Sequence, residues 1–464
     1  MTGLSAFRLG DIRGLYPEEI NEDFVMAFAQ AFVGQFGLTG RVATGRDMRD
    51  SSESLQAALN ESLVSVGIEV VDMGLCPTEL GYFASGLPGI NAAIVVTASH
   101  NPARYNGLKC VLSGGEAITQ INGLDDIRNR IQEGYRHPVS KGSIVIEDLH
   151  GRYLEFLRLH FPPESLQAGQ IALNGLNGTA STMAGIIASE FQLPVTWFRE
   201  GPGPIPEQGA DPTNPLLVAE MKMLMQGDSF SLGVAWDGDC DRCVCFDSRG
   251  DLIPTYYLLG LLMEHFLERR PGGTIVFDNK LCWNTMEVVQ RCGGKPMVAA
   301  TGHAFMKQKM RETDAIYGGE LSAHHYFGEF FGCDSGMFAW LTVLKLLKES
   351  DTPIHELISA RRQAICSTAE ISVNLDDVDV AFATLDQVYG AQALETDRFD
   401  GLAYTMPGGW RFSVRRSKTE PVVRLNFESR GKPEDLLEAG EEVIGNLESF
   451  RSDDENWLEH FQIQ

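Results

Sequence analysis

Asn91 to Lys109 reads N-A-A-I-V-V-T-A-S-H-N-P-A-R-Y-N-G-L-K, and its first half decides the fold. Ala92 to Val96 is a short apolar run without helical spacing. Its last three residues are β-branched, as expected of a strand buried on both faces. Ser99, His100, Asn101 and Pro102 then turn the chain out of the sheet, because Pro102 lacks a backbone donor and biases Asn101 away from helix. In open α/β sheets, ligands bind at the rim formed by the carboxyl ends of strands. Ser99, with His100 beside it, is therefore a candidate nucleophile. The plain alternative is a turn serine that satisfies backbone groups.

The same strand-turn-helix pattern surrounds this stretch. Asn21 can cap a helix in which Phe24, Phe28, Phe32 and Phe36 recur every four residues, a stripe read as core. A strand starts at Arg41, a polar turn spans Gly45 to Ser52, a helix runs from Leu55 to Val64, and Val66 to Val71 gives the next strand. This repetition predicts a mostly parallel sheet. At 464 residues and 44% hydrophobic, the chain can fill several cores. A polar stretch near residue 145 and a shift to short strands after Ile365 mark boundaries, and the last segment reads as a smaller α+β domain.

Lys and Arg number 38 against 63 Asp and Glu, a net charge of −25, which argues against a nucleic-acid or anionic-membrane partner. The N-terminal residues lack the pattern of a signal peptide, and no run of about 18 apolar residues occurs, so a soluble protein is expected. Nine cysteines without zinc spacing point to buried free thiols and a cytoplasmic setting. Cys240, Cys243 and Cys245 are expected along one strand.

Three further motifs carry chemistry. An apolar strand, Ser231 to Trp236, runs into D-G-D-C-D-R. In an extended segment Asp237, Asp239 and Asp241 share a face and repel unless a cation sits among them, and hard oxygen ligands suit Mg²⁺. Arg242 and Ser248 stand where a calcium EF-hand needs glycine and glutamate, so that reading fails. Next, a strand expected at Ala315 to Tyr317 leads to G-G-E-L-S-A-H-H-Y-F, where Glu320 and Ser322 can accept from and donate to adjacent hydroxyls. Finally, Trp410, Phe412 and Val414 alternate with Arg411, Ser413 and Arg415 before the turn R-S-K-T-E-P, and Val423, Leu425 and Phe427 return. This hairpin tip suits a phosphate. Gly175 and Gly178, in a strand-to-helix turn, could cradle phosphate too, but a structural role fits such a turn better.

Taken together, T-A-S-H-N-P with Y-N-G-L-K, the Asp237 loop, the Glu320 loop and the Arg415 hairpin resemble the motifs of the α-D-phosphohexomutases, in order. The S-A-H-H-Y-F form is similar to that of bacterial phosphomannomutases, whereas Leu321 stands where the phosphoglucosamine branch has glutamine. The resemblance implies an α/β fold of four domains around a cleft: 1–145, 146–252 and 253–367, three similar α/β domains, and 368–464, a smaller α+β domain. It implies an intramolecular phosphotransferase in which phosphorylated Ser99, with Asp237, Asp239 and Asp241, holds one Mg²⁺. Hexose 1,6-bisphosphate would be the intermediate and activator, and hexose phosphates the substrates.

By the same resemblance Arg13, in F-R-L-G-D-I-R-G, and Arg242 lie beside the transferring group. Lys109 or His303 is general acid and base, with His100 near the serine. Substrate contacts are implied for Lys280, Gly302, His303, Glu320, Ser322, His324, Arg415, Ser417, Lys418, Thr419 and Arg424, with Lys418 in place of the family's asparagine. Mannose phosphate is the expected substrate; glucose phosphate, or both sugars, is the alternative. A phosphatase could use the same serine and metal, and a non-catalytic binder would be expected to have lost one of them. A monomer or small homo-oligomer is expected.

Overall fold

The computed structural model describes residues 4–8, 10–166, 169–227, 230–350, 352–416, 422–451 and 461–464. The chain forms two units, one of residues 1–253, 302–318 and 322–351, the other of residues 254–301, 319–321 and 352–464. Both are mixed α/β, as the sequence predicts.

In the first unit a seven-stranded sheet runs in the order Ile12–Leu15, Tyr105–Leu112, Ile90–Val96, Arg41–Arg46, Glu69–Leu75, Ser143–Ile146, with Glu116–Ala117 on Tyr105–Leu112. Ile90–Val96 lies between a parallel neighbour, Arg41–Arg46, and an antiparallel one, Tyr105–Leu112. Buried on both faces, its apolar run needs no alternation. Because Tyr105–Leu112 returns beside it, residues 97–104 become a rim loop that carries Ser99. Gly107 of Y-N-G-L-K faces Ile12 so closely that a Cβ would stand 2.0 Å from its carbonyl oxygen, so no other residue fits.

Helix Glu22–Phe36 packs on this sheet, its start fixed by the Asn21 side chain, which accepts from Phe24 N at 2.9 Å. Phe24, Phe28 and Phe32 are at most 3% exposed, so the stripe is core. Each such burial is worth roughly 1.5–3 kcal/mol. A four-stranded sheet runs Cys243–Phe246, Phe230–Trp236, Gln170–Asn174, Val195–Phe198, antiparallel only at the first pair.

The strand expected at Ala315 to Tyr317 instead spans Tyr317–Gly319. Ala315 N still donates to Met310 O at 3.0 Å, so Ala315 belongs to the exit of helix His303–Glu312.

Glu79, fully buried, accepts from Ser335 Oγ at 2.6 Å, Met337 N at 3.1 Å and Tyr153 OH at 3.1 Å, pinning the start of helix Gly336–Glu349. Burial pushes its carboxyl up to about 7, against those three donors. The folded protein therefore keeps this proton at pH values where the unfolded chain, near 4.5, has released it. Stability then falls as pH rises from about 4.5 to about 7, by roughly 3 kcal/mol from this group. Glu79→Gln should remove that component, so thermal unfolding at pH 5 and pH 7.5 should differ less in the variant than in the natural chain.

In the second unit, Thr274–Asp278 and Lys295–Ala299 pair in parallel after helix Thr255–Arg269 in the chain. A six-stranded antiparallel sheet follows the order Cys366–Ser367, Val422–Ser429, Trp410–Arg416, Leu402–Met406, Glu395–Asp397, with Ile371–Asn374 on Val422–Ser429. The predicted hairpin is present: Val414 faces Leu425 and Arg415 faces Arg424, while Phe412, Val414, Leu425 and Phe427 are fully buried. No helix among the described residues is long and apolar enough to cross a membrane.

Candidate active site

Ser99 is 2% exposed and takes a left-handed backbone, φ 52°, a conformation that costs a non-glycine residue about 1 kcal/mol and persists only where neighbours over-determine it. Its N donates to Thr97 Oγ1 at 2.9 Å, and its Oγ donates to Asp237 Oδ2 at 2.7 Å. His100 Nδ1 lies 3.3 Å from the same Oγ.

Asp237, Asp239 and Asp241 converge as expected, but not by alternation along an extended segment. Residues 237–241 form a tight turn in which Cys240 takes φ 66°; Cys240 is thus a buried loop thiol, and only Cys243 and Cys245 lie on the strand. The turn exists because Asp237 Oδ1 accepts from the N atoms of Asp241 and Arg242, at 3.1 and 3.2 Å. Gly238 lets it approach the serine loop: a Cβ there would stand 2.6 Å from Ser99 O. Thr179 N and Oγ1, from the Gly175 turn, both donate to Gly238 O, at 2.9 and 3.2 Å, so that turn buttresses the aspartate loop.

The three carboxylates are fully buried, with ligand oxygens within 4.8 Å of one another. Asp239 Oδ1 has no hydrogen-bond partner among the described residues, whereas its Oδ2 accepts from Thr78 Oγ1 at 2.6 Å. An all-oxygen donor set of this kind, with an orphaned oxygen, fits a hard divalent cation. Lys109 Nζ supplies positive charge here, 2.7 Å from Asp239 Oδ2 and in an ion pair with Asp241. Burial opposes that charge, but Asp239 and Asp241 outweigh it and hold the Lys109 ammonium above its usual range. Burial and the Asp241 and Asp239 carboxylates push Asp237 well up. Asp241 goes the other way, because Lys109 and His324 overcome its burial.

His324 Nε2 stands 3.3 Å from Asp241 Oδ1, and its Nδ1 meets Ser322 Oγ at 2.8 Å. Ala323, between Ser322 and His324, takes φ 67°. Arg242 Nε is 3.8 Å from Asp237 Oδ2. Arg13 donates to Asn101 Oδ1 at 2.7 Å and Asp11 Oδ2 at 2.8 Å. Both ring nitrogens of His303 lack a hydrogen-bond partner among the described residues. Burial, then the Lys307 and Lys109 charges, hold this imidazole well below its ordinary value; His100 is lowered likewise by burial and by Arg242 and Arg13.

In the second unit, Arg415 Nη2 and Arg424 Nη1 lie 3.7 and 3.2 Å from the two oxygens of Glu370. Burial would raise Glu370, but Lys280, Arg424 and Arg415 hold it below the usual carboxylate range. Lys280 Nζ is 3.6 Å from Asp278 Oδ2, which also accepts from Leu321 N at 3.1 Å, next to Glu320. Arg411 Nη1 and Ser413 Oγ donate to Lys280 O at 3.0 and 2.8 Å. Ser417, Lys418 and Thr419 lie outside the described residues.

Sequence reasoning missed Thr78, Arg49, Lys307, Asp334, Glu370 and Arg411. Lys307 Nζ pairs with Asp334 Oδ1 at 2.8 Å, fully inside the protein, and Asp334 shares a cluster with Asp241 and His324. Only the rarity of buried charges marks such residues, and burial is not visible in a single sequence.

Family models for phosphoglucomutase/phosphomannomutase α/β/α domains I and III match residues 4–137 and 254–364. A phosphomannomutase of Escherichia coli K12 is 39% identical over 440 residues, 93% of this chain and 96% of that protein. A Xanthomonas campestris protein named for phosphohexose mutases is 39% identical over 450 residues, 96% of this chain and 99% of its own. The crystal structure of a phosphoglucomutase/phosphomannomutase family protein from Burkholderia thailandensis superposes with a TM-score of 0.86 at 29% identity, covering 97% of this chain and 98% of that one.

Proposed function

Because the chain belongs to the phosphoglucomutase/phosphomannomutase family, we propose that it is a phosphomannomutase, an intramolecular phosphotransferase that interconverts mannose 1-phosphate and mannose 6-phosphate. The observation that carries this reading is Ser99 Oγ, 2.7 Å from Asp237 Oδ2 within three buried carboxylates. Relatives named phosphomannomutase support the choice of sugar.

In the first half-reaction the bond from Ser99 Oγ to phosphorus breaks as a free hydroxyl of the hexose monophosphate bonds to that phosphorus, giving a 1,6-bisphosphate. The hydroxyl proton passes to a base, and His303 suits this role: burial holds its imidazole well below its ordinary value, and its ring nitrogens have no hydrogen-bond partner among the described residues. Lys109, clamped as an ammonium between Asp239 and Asp241, suits charge stabilisation instead, together with Arg13 and Arg242. Mg²⁺, held by Asp237, Asp239, Asp241 and the Ser99 phosphate, would act as a Lewis acid on the transferring group. The bisphosphate then turns so that its other phosphate returns to Ser99. Arg415 and Arg424, with Ser417, Lys418 and Thr419, take the phosphate not being transferred, and Lys280 and Gly302 assist in substrate binding. Glu320, Ser322 and His324 read the sugar hydroxyls. Free hexose 1,6-bisphosphate serves as the activator that phosphorylates Ser99.

The family description covers both sugars, and the 3- and 4-hydroxyls that Glu320 and Ser322 would address are common to mannose and glucose, so glucose 1-phosphate is the second substrate to assay. Purified protein with Mg²⁺ and a trace of hexose 1,6-bisphosphate should convert mannose 1-phosphate to the 6-phosphate, with a higher kcat/KM than for glucose 1-phosphate. Release of inorganic phosphate without isomerisation would overturn the mutase reading.

A further inference from the structure

Arg49 follows the strand Arg41–Arg46, and its side chain is fully buried. Its Nη2 donates to Ser99 O at 2.8 Å and Asn101 O at 2.7 Å, and its Nη1 to Pro102 O at 2.7 Å and Tyr105 O at 3.0 Å. Nε donates to Asp47 Oδ2 at 3.0 Å. All five N–H groups of the guanidinium are thereby used, three of them on the main chain of the serine loop and a fourth on Tyr105, the first residue of the strand that follows it.

Asp47 is itself fixed. Its Oδ1 accepts from Arg49 N at 3.0 Å and Ser52 Oγ at 2.5 Å, and its N donates to Val96 O at 2.9 Å, the last residue of the strand that feeds the loop. The loop is therefore referenced to the ends of two neighbouring strands through one side chain. A backbone at φ 52° points Ser99 Oγ where it does only while its amide and its carbonyl are both held, the first by Thr97 Oγ1 and the second by Arg49. Asn101, held through its own carbonyl, presents Oδ1 to Arg13.

We propose that Arg49, anchored by Asp47, is a positioning residue for phosphoryl transfer: it sets the conformation of the serine loop that aims Ser99 Oγ at the aspartate cluster. The inference rests on the mutase reading above. Lysine cannot substitute, because three donors radiating from one point cannot span four carbonyl oxygens.

The test compares Arg49→Lys and Asp47→Asn with the natural chain in thermal unfolding, in kcat and KM for mannose 1-phosphate, and in the rate at which hexose 1,6-bisphosphate phosphorylates Ser99. In that last step phosphorus moves from a sugar oxygen to Ser99 Oγ, and the serine proton ends on the departing sugar hydroxyl. A nucleophile misplaced by about 1 Å costs on the order of a hundredfold. Arg49→Lys should therefore lose about that much in kcat and in the phosphorylation rate, with KM changed by no more than about threefold. Asp47→Asn should lose less, in the same pattern, and carries the test alone if Arg49→Lys does not fold. A folded variant with kcat within about threefold of the natural chain, a loss carried by KM, or failure of both variants to fold would each overturn the inference in favour of a structural role. Absence of Ser99 phosphorylation in the natural chain would defeat the mutase reading itself.

Discussion

Ser99→Ala should abolish turnover, lowering kcat by roughly ten-thousandfold or more, the scale seen when a covalent nucleophile is removed. No neighbour can replace it. His100 Nδ1 lies 3.3 Å from Ser99 Oγ itself, and Thr78 Oγ1 is already committed to Asp239 Oδ2 at 2.6 Å. The fold should survive. Alanine tolerates φ 52° about as well as serine, and the contacts that hold the loop run through the Ser99 main chain rather than its hydroxyl. A melting temperature within a few degrees of the natural chain, together with loss of turnover, is the expected pair of results; loss of both would make Ser99 a structural residue.

Removal of the divalent cation, or Asp239→Asn, should cost about a thousandfold in kcat, equivalent to about 4 kcal/mol of transition-state stabilisation. Stability gives an independent readout. Three buried carboxylates oppose one another, and Lys109 with the more distant Arg242 compensates them only in part, so Mg²⁺ should raise the melting temperature of the natural chain through its preference for the folded state. Asp239→Asn relieves part of that repulsion and removes a ligand. The variant should melt no lower without the cation, and should gain little when Mg²⁺ is added. An undiminished Mg²⁺ response in the variant would contradict the placement of the cation on Asp239.

Much of the fold is legible because it depends on local pattern. The run Ala92–Val96 is continuously apolar since the strand is flanked on both sides, and the Phe24 stripe follows helical period. The meeting of Ser99 with Asp237 was inferred from motif resemblance, and the structure brings the two together at 2.7 Å. The route by which the aspartates converge was not legible. Alternation in a strand and a tight turn through Cys240 both place three carboxylates together, and the turn depends on Asp237 Oδ1 capturing two downstream amides. Arg49 was hidden for a different reason. Its partners are main-chain carbonyls, which every residue has, so nothing in the loop's side chains announces it. Glu79, Lys307 and Asp334 read as ordinary charges, because only the packing of distant segments shows that they are buried.

Passage of the phosphoryl group through Ser99 is the step on which the proposed reaction depends. Its most direct test is to incubate the protein with Mg²⁺ and hexose 1,6-bisphosphate labelled in phosphorus, locate the label by peptide mass spectrometry, and chase with unlabelled mannose 1-phosphate. Label on Ser99 that moves to the sugar during the chase is the predicted result. Label on another residue, or label released only as inorganic phosphate, would contradict it.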